Sequence, residues 1–238
     1  MLLNAENSDY RTLNEEIRKN DLCEIVNCIG QRFIGAGMKT QKIVINGIAG
    51  NALGAYLAGA EIITNGNAQD AVGDTMNDGR IIVHGNIGDA PGYAMRGGKI
   101  LIKGDAGYRV GIHMKEYSDK KPEIIIGGKC GSFLGEYQAG GIIVVLGLTE
   151  DEKPIVGNFP CTGMHGGKMF LRGSVEGIHF PHTVTVRKAS DVDLKEIIPL
   201  IDEFCEAFSK EKTNILNETF WIIVPDTKNP YKQMYVAN

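Results

Sequence analysis

Arg80–Gly98 reads RIIVHGNIGDAPGYAMRGG, and the same outline stands on both sides of it. Upstream lie KIVINGIAGNALGAYLAGA (Lys42–Ala60) and EIITNGNAQDAVGDTMNDG (Glu61–Gly79). Downstream, KILIKGDAGYRVGIHM opens at Lys99, EIIIGGKCGSFLGEYQAGG at Glu123, IIVVLG at Ile142 and KMFLRG at Lys168. The openings recur about every 19 residues, a fixed period that is the signature of a stacked repeat. The fourth and sixth copies are longer than the rest, through insertions over His113–Pro122 and Leu148–Met164.

Each unit opens on a β-branched run, which is strand composition. The first column is Ile43, Ile62, Ile81, Ile100, Ile124, Ile143 and Met169; the next runs from Val44 to Phe170. A glycine closes every strand, from Gly47 to Gly173. A second glycine column reads Gly54, Gly73, Gly92, Gly111, Gly135 and Gly157, preceded by Leu53, Val72, Pro91, Val110, Leu134 and Val156. A third column, Leu57, Met76, Met95, Met114 and Met164, is broken in the fifth copy by Gln138. A single coil of this length cannot bury its own apolar face, but stacked coils can. If positions two and four of each strand point inward, Ile124 and Ile126 belong to the core. The period does not fit the hexapeptide multiple of a left-handed β-helix, and the Asn/Cys column of a leucine-rich repeat is missing. The expected fold is all-β: a right-handed parallel β-helix, a single-stranded solenoid of about seven coils, with a short N-terminal cap and a C-terminal amphipathic helix.

Composition agrees with such a chain. Of 238 residues 31 are glycine, about 13% against an average near 7%. Only 8 are proline, which excludes collagen and linker-like sequence. The formal charge of −4 argues against nucleic-acid binding, where a basic stripe is the rule. The apolar run Ile142–Leu146 is too short to span a membrane. Met1–Asn20 is polar, without the apolar core of a secretory signal. Five cysteines without a CxxC read as reduced thiols of a cytoplasmic protein.

Three regions follow: 1–41 as an N-terminal helix and entry cap, 42–187 as the solenoid, 188–238 as a helix and tail packed upon it. Thr12 and Glu15 have capping-box spacing for a helix reaching about Asn20. Cys23–Cys28 reads as one more strand. Leu194, Ile197, Ile198, Ile201, Phe204, Cys205 and Phe208 share one face of a helix over Ser190–Ser209, with Pro199 set to kink or divide it. The tail carries a strand at Phe220–Val224, then Pro225, Pro230, Tyr231 and Tyr235.

The segments GIAGNALGAYL (47–57), GNAQDAVG (66–73), GDAGYRVGIHMKEY (104–117) and FLGEYQAGGIIVVLGL (133–148) resemble the C-terminal GXGXG domain of the glutamate synthase large subunit and its stand-alone version. The resemblance covers about residues 22–180. One of the subunits of formylmethanofuran dehydrogenase has a similar repeat. The resemblance implies a scaffold that is not catalytic by itself, in a complex that moves the amide nitrogen of glutamine to 2-oxoglutarate. It implies two partners, a glutamine amidotransferase subunit and a synthase subunit holding FMN and an iron–sulfur cluster. No catalytic, cofactor-binding or metal-binding residue carries over to this chain.

The residues themselves suggest little further chemistry. A β-helix enzyme acting on polysaccharide would need clustered acids; Asp70, Asp74 and Asp89 stand a coil apart or alone. The strand-start column Lys42, Glu61, Arg80, Lys99, Glu123 alternates in sign, as a solvated or cross-paired face does. Of His84, His113, His165, His179 and His182 only the last two are close in sequence. Gly85-Asn-Ile-Gly88 looks like a phosphate cradle, but no helix or GK[ST] follows it. The two insertions, His113–Pro122 and Leu148–Met164, are expected to form loops, with a partner's contact as their functional reading.

Overall fold

The computed structural model describes residues 1–226. Nine strands stack in parallel in chain order: β1 (Leu2–Asn4), β2 (Leu22–Ile29), β3 (Lys42–Ile48), β4 (Ala58–Thr64), β5 (Asp78–Val83), β6 (Lys99–Ile102), β7 (Glu123–Ile126), β8 (Ala139–Val145) and β9 (Gly166–Arg172). The register is that of the repeat: Ile81 pairs with Ile100, Ile100 with Ile124, and Ile124 with Ile143. The fold is thus a parallel β-solenoid, and β1 and β2 extend the stack ahead of Lys42.

Strand positions two and four point inward. Ile43, Ile45, Ile81, Val83, Ile124 and Ile126 belong to the interior core, all inaccessible to solvent. The methionine column fills the same interior. Thr64 and Gln138 interrupt these columns, and Thr64 Oγ1 and Gln138 Oε1 are buried without a hydrogen-bond partner among the described residues.

Position three points outward, half-buried at Val44 and Ile63 and buried from Ile82 onward. Ile82, Leu101, Ile125, Val144 and Phe170 form a second cluster beneath α2 (Asp191–Phe208), which lies along the side of the solenoid. Its 18 residues make a rod of about 27 Å, long enough to cross five strands spaced about 4.8 Å apart. Ile197, Leu200, Ile201, Phe204 and Phe208 are its buried apolar residues; Leu200, not Ile198, completes the stripe. Pro199 sits on the exposed side, and the helix runs through it undivided. Ser190 and Asp193 form a capping box at its start. The strand-start charges cross-pair and reach α2: Glu61 bridges Lys42 (3.0 Å) and Arg80, and Glu203 meets Arg80 (3.8 Å) and Lys99.

At the ends, α1 (Tyr10–Arg18) begins at Asp9, whose Oδ1 accepts from Arg11 N (2.8 Å) and Thr12 N (3.0 Å). The expected Thr12–Glu15 box is therefore replaced by a cap at Asp9, and the helix ends at Arg18. Beside β9 lies the antiparallel β11 (Phe220–Pro225), followed by β10 (Val184–Lys188). A short α3 (Lys212–Leu216) precedes β11. Pro230, Tyr231 and Tyr235 lie outside the described residues.

Candidate functional site

The corner opposite the strands explains the glycine column. Its backbone alternates: residues 52, 54 and 56 have φ of +60°, +64° and +57°, and 109, 111 and 113 have +58°, +66° and +56°. The outer two of each trio donate to the next coil, as Arg109 N does to Ser132 O (2.9 Å) and His113 N to Glu136 O (3.0 Å). The middle one donates back, as Gly111 N does to Pro91 O (2.8 Å). Only the middle residue faces the core. A Cβ at Gly111 would stand 2.5 Å from Ile143 Cδ1, and one at Gly54 2.6 Å from Ile81 Cδ1. So glycine is needed there for space as well as for backbone angle.

The sixth copy corrects the sequence register. Val156 bridges Cys130, and Gly157 stands one coil above Gly131, a column kept small by the preceding coil's backbone. The corner column runs on to Cys161 instead (φ +61°). Beside β9 the next strand is antiparallel, so the isoleucine column ends and the cysteine side chain fits, with Sγ 3.7 Å from Met169 Sδ.

Both insertions are loops, with narrower bounds than expected. His113 and Met114 still belong to the regular coil, so the fourth-copy loop begins at Glu116. It is closed by the Tyr117–Lys120 bridge and tied down by Lys120 to Asp78 (2.8 Å) and Lys121 to Glu196 of α2 (3.9 Å). The sixth-copy loop is Leu148–Ile155. Lys129 anchors it, its Nζ donating to Lys153 O (2.7 Å) and to Asp151 O (2.8 Å) and pairing with the Asp151 carboxylate. This loop overhangs a cleft of about 500 Å³, lined by Tyr108, Cys130, Lys153, Pro154 and the small residues of three coils.

Other sequence candidates are spent inside the fold. In the turn Gly85–Gly88, Asn86 N donates to Asn67 Oδ1 (2.9 Å), Ile87 N to Asp105 O (2.9 Å) and Gly88 N to Ala68 O (3.1 Å). Those amides are not free to cradle a phosphate. Asp70 and Asp89 each accept a backbone N–H of the next coil, from Asp89 (2.9 Å) and Tyr108 (2.8 Å). His84 packs edge-on against Phe208 (5.1 Å), and burial, then the charge of Lys103, lowers its pKa. His165 Nδ1 sits 2.9 Å from Gly163 O, and His179 and His182 are exposed. Four thiols are buried; desolvation pushes Cys161 up to about 12, so it stays protonated. Among the described residues no group of three or more His, Cys, Asp or Glu is placed to hold a metal ion. None of their helices is long and apolar enough to cross a membrane.

One feature escaped the sequence reading, a band of stacked rings on the glycine corner. His113 lies flat on Tyr137 (5.2 Å, 7° between planes), and Tyr93 meets His113 edge-on (6.0 Å). Beside them Arg109 lies over Phe133 (5.0 Å), which stacks on Phe159 (5.3 Å). An Arg109–Glu136 ion pair (3.1 Å) stands at the same corner. The partners are a coil apart in space but more than a full repeat apart in sequence.

A family model for the GXGXG motif matches residues 11–226. An uncharacterized protein of Methanocaldococcus jannaschii is 41% identical over 253 residues, covering 100% of this chain and 97% of that protein. A chain in the crystal structure of the formyltransferase/hydrolase complex of Methylorubrum extorquens, solved with methylofuran, superposes with a TM-score of 0.64 at 22% identity. The match spans 84% of this chain and 71% of that one, and it shows a shared fold. On the strength of the family match over nearly its whole length, this chain belongs to the GXGXG motif family.

Proposed function

We propose that the chain is a non-catalytic solenoid subunit of a split glutamate synthase. One observation carries the scaffold part of this reading. The turn amides of Asn86, Ile87 and Gly88 and the carboxylates of Asp70 and Asp89 are committed to neighbouring coils and four thiols are buried, while aromatic and other charged side chains remain on the surface. Such a surface can bind proteins, whereas the repeat's buried groups cannot reach a substrate. The glutamate synthase part is supported by the family match. In the complex, a glutamine amidotransferase subunit would release ammonia, and a synthase subunit with FMN and an iron–sulfur cluster would combine it with 2-oxoglutarate and two electrons. A second reading, a scaffold in a formyl-transferring complex of the formylmethanofuran dehydrogenase type, is favoured by the fold shared with the Methylorubrum extorquens complex.

The test is affinity purification of the tagged chain from its native cell under mild salt. Co-purifying amidotransferase and flavoprotein chains, with glutamate formed from glutamine and 2-oxoglutarate, support the first reading. Formyl-transferring chains in their place support the second. A chain that elutes alone rejects both.

A further inference from the structure

The band of rings at the glycine corner carries side chains where the backbone would prefer none. Arg109, His113, Phe133, Tyr137 and Phe159 all have φ between +54° and +62°. Residues other than glycine lose about 1–2 kcal/mol in that region. Elsewhere the outer places of this corner hold glycine, at Gly37 and Gly163 (both φ +68°), or only a methyl, at Ala52, Ala71, Ala90 and Ala94. Bulky residues retained in a strained conformation, pointing away from the core, mark a surface kept for its side chains.

His113 stacks on Tyr137 and Phe133 on Phe159, so each of these rings has one face covered by its partner, while Tyr93 meets His113 edge-on. Sugars and nucleobases bind aromatic faces. Protein interfaces, by contrast, favour Tyr, Phe and Arg in any presentation. Next to the rings the band is cationic. Arg96 and Lys115 stand one coil apart at the same corner, both exposed, and neither forms an ion pair with a described residue. Of the nearby carboxylates, Glu136 is paired with Arg109, and Glu116 accepts from Gly141 N (2.9 Å) and keeps its charge, so Arg96 and Lys115 outnumber it.

We propose that this band, Tyr93–Arg96–Arg109–Lys115–Tyr137–Phe159, docks a carboxylate-bearing segment of a protein partner. The rings form the dry centre of the contact, and Arg96 and Lys115 pair with acids at its rim. The inference rests on the chain being a subunit of a multisubunit enzyme, and it names the face used.

The test uses the full chain expressed in its native cell, with the photo-crosslinker p-benzoylphenylalanine placed at Tyr137 or Phe159. The control position is Val192 on α2, which is 71% exposed. After irradiation the adduct is sequenced. The band is supported if both positions, and not Val192, trap one partner segment containing at least two Asp or Glu. The double substitution Arg96→Glu and Lys115→Glu should then weaken association at least ten-fold at low salt, and changing those acids to Lys should restore it. An unchanged thermal midpoint shows the double variant folded. Adducts at Val192 only, a trapped basic segment or nucleic acid, or unaltered association of the folded charge-reversed chain would each overturn the inference while leaving the subunit reading intact. A chain that never co-purifies with others fails the subunit reading first.

Discussion

Gly111 and Gly37 share a backbone conformation and differ in what surrounds them, so alanine at each separates two causes of glycine selection. Their φ values are +66° and +68°. At Gly37 no atom of the described residues lies within 4 Å of where a Cβ would stand; at Gly111 it would meet Ile143 Cδ1 at 2.5 Å and Cγ1 at 3.4 Å. Gly37→Ala therefore loses only the left-handed backbone preference, about 1–2 kcal/mol. Gly111→Ala loses the same and adds overpacking against the isoleucine column, about 1–3 kcal/mol more. The total of about 2–5 kcal/mol corresponds to a melting midpoint lowered by roughly 4–20 °C in a chain of this size. Both variants would be measured by urea and thermal unfolding followed by far-ultraviolet circular dichroism, with the m-value checked for constancy. Equal destabilisation of the two would refute the claim that the corner glycines are chosen for space, and with it the inward direction of the middle residue.

Two further outcomes follow from buried polar groups. Thr64→Val replaces an orphaned hydroxyl with a methyl of the same shape and should stabilise by about 1 kcal/mol, read as a higher thermal midpoint; a lower one would mean the hydroxyl has a partner. The His84 pKa is lowered, so the unfolded chain takes up its proton first as pH falls; stability should decline from about pH 7 through the ordinary histidine value near 6.5 and below, and His84→Gln should flatten that part of the midpoint-versus-pH curve.

How much could be read from the sequence depended on whether a residue's surroundings repeat. Ile124 and Ile126 face inward as expected, because parallel in-register stacking puts each isoleucine beside its own repeat. In the sixth copy two glycine columns look alike in sequence yet arise differently. Gly157 is held small by the backbone of the coil below, whereas Gly54 and Gly111 make room for an isoleucine two copies further on. The glycine at 157 therefore masked the real counterpart, Cys161. Pro199 suggested a break, but on the solvent side of α2 its missing N–H and ring cost the packing nothing. The ring band left no local pattern. His113 and Tyr137 are neighbours only because the fifth coil returns directly above the fourth once the intervening loop has closed.

Because α2 is the cover of the outer strand face, the order in which the chain is made matters. Ile82, Leu101, Ile125, Val144 and Phe170 can all be stacked before Phe204 and Phe208 leave the ribosome. At ordinary synthesis rates the interval from Phe170 to Phe208 lasts about 2–8 s. During it the nascent solenoid presents an uncapped, strand-ordered apolar stripe to whatever surrounds it, the kind of surface that recruits chaperones or a neighbouring nascent copy. A transcript cut short before codon 190 would leave that stripe open for the lifetime of the product.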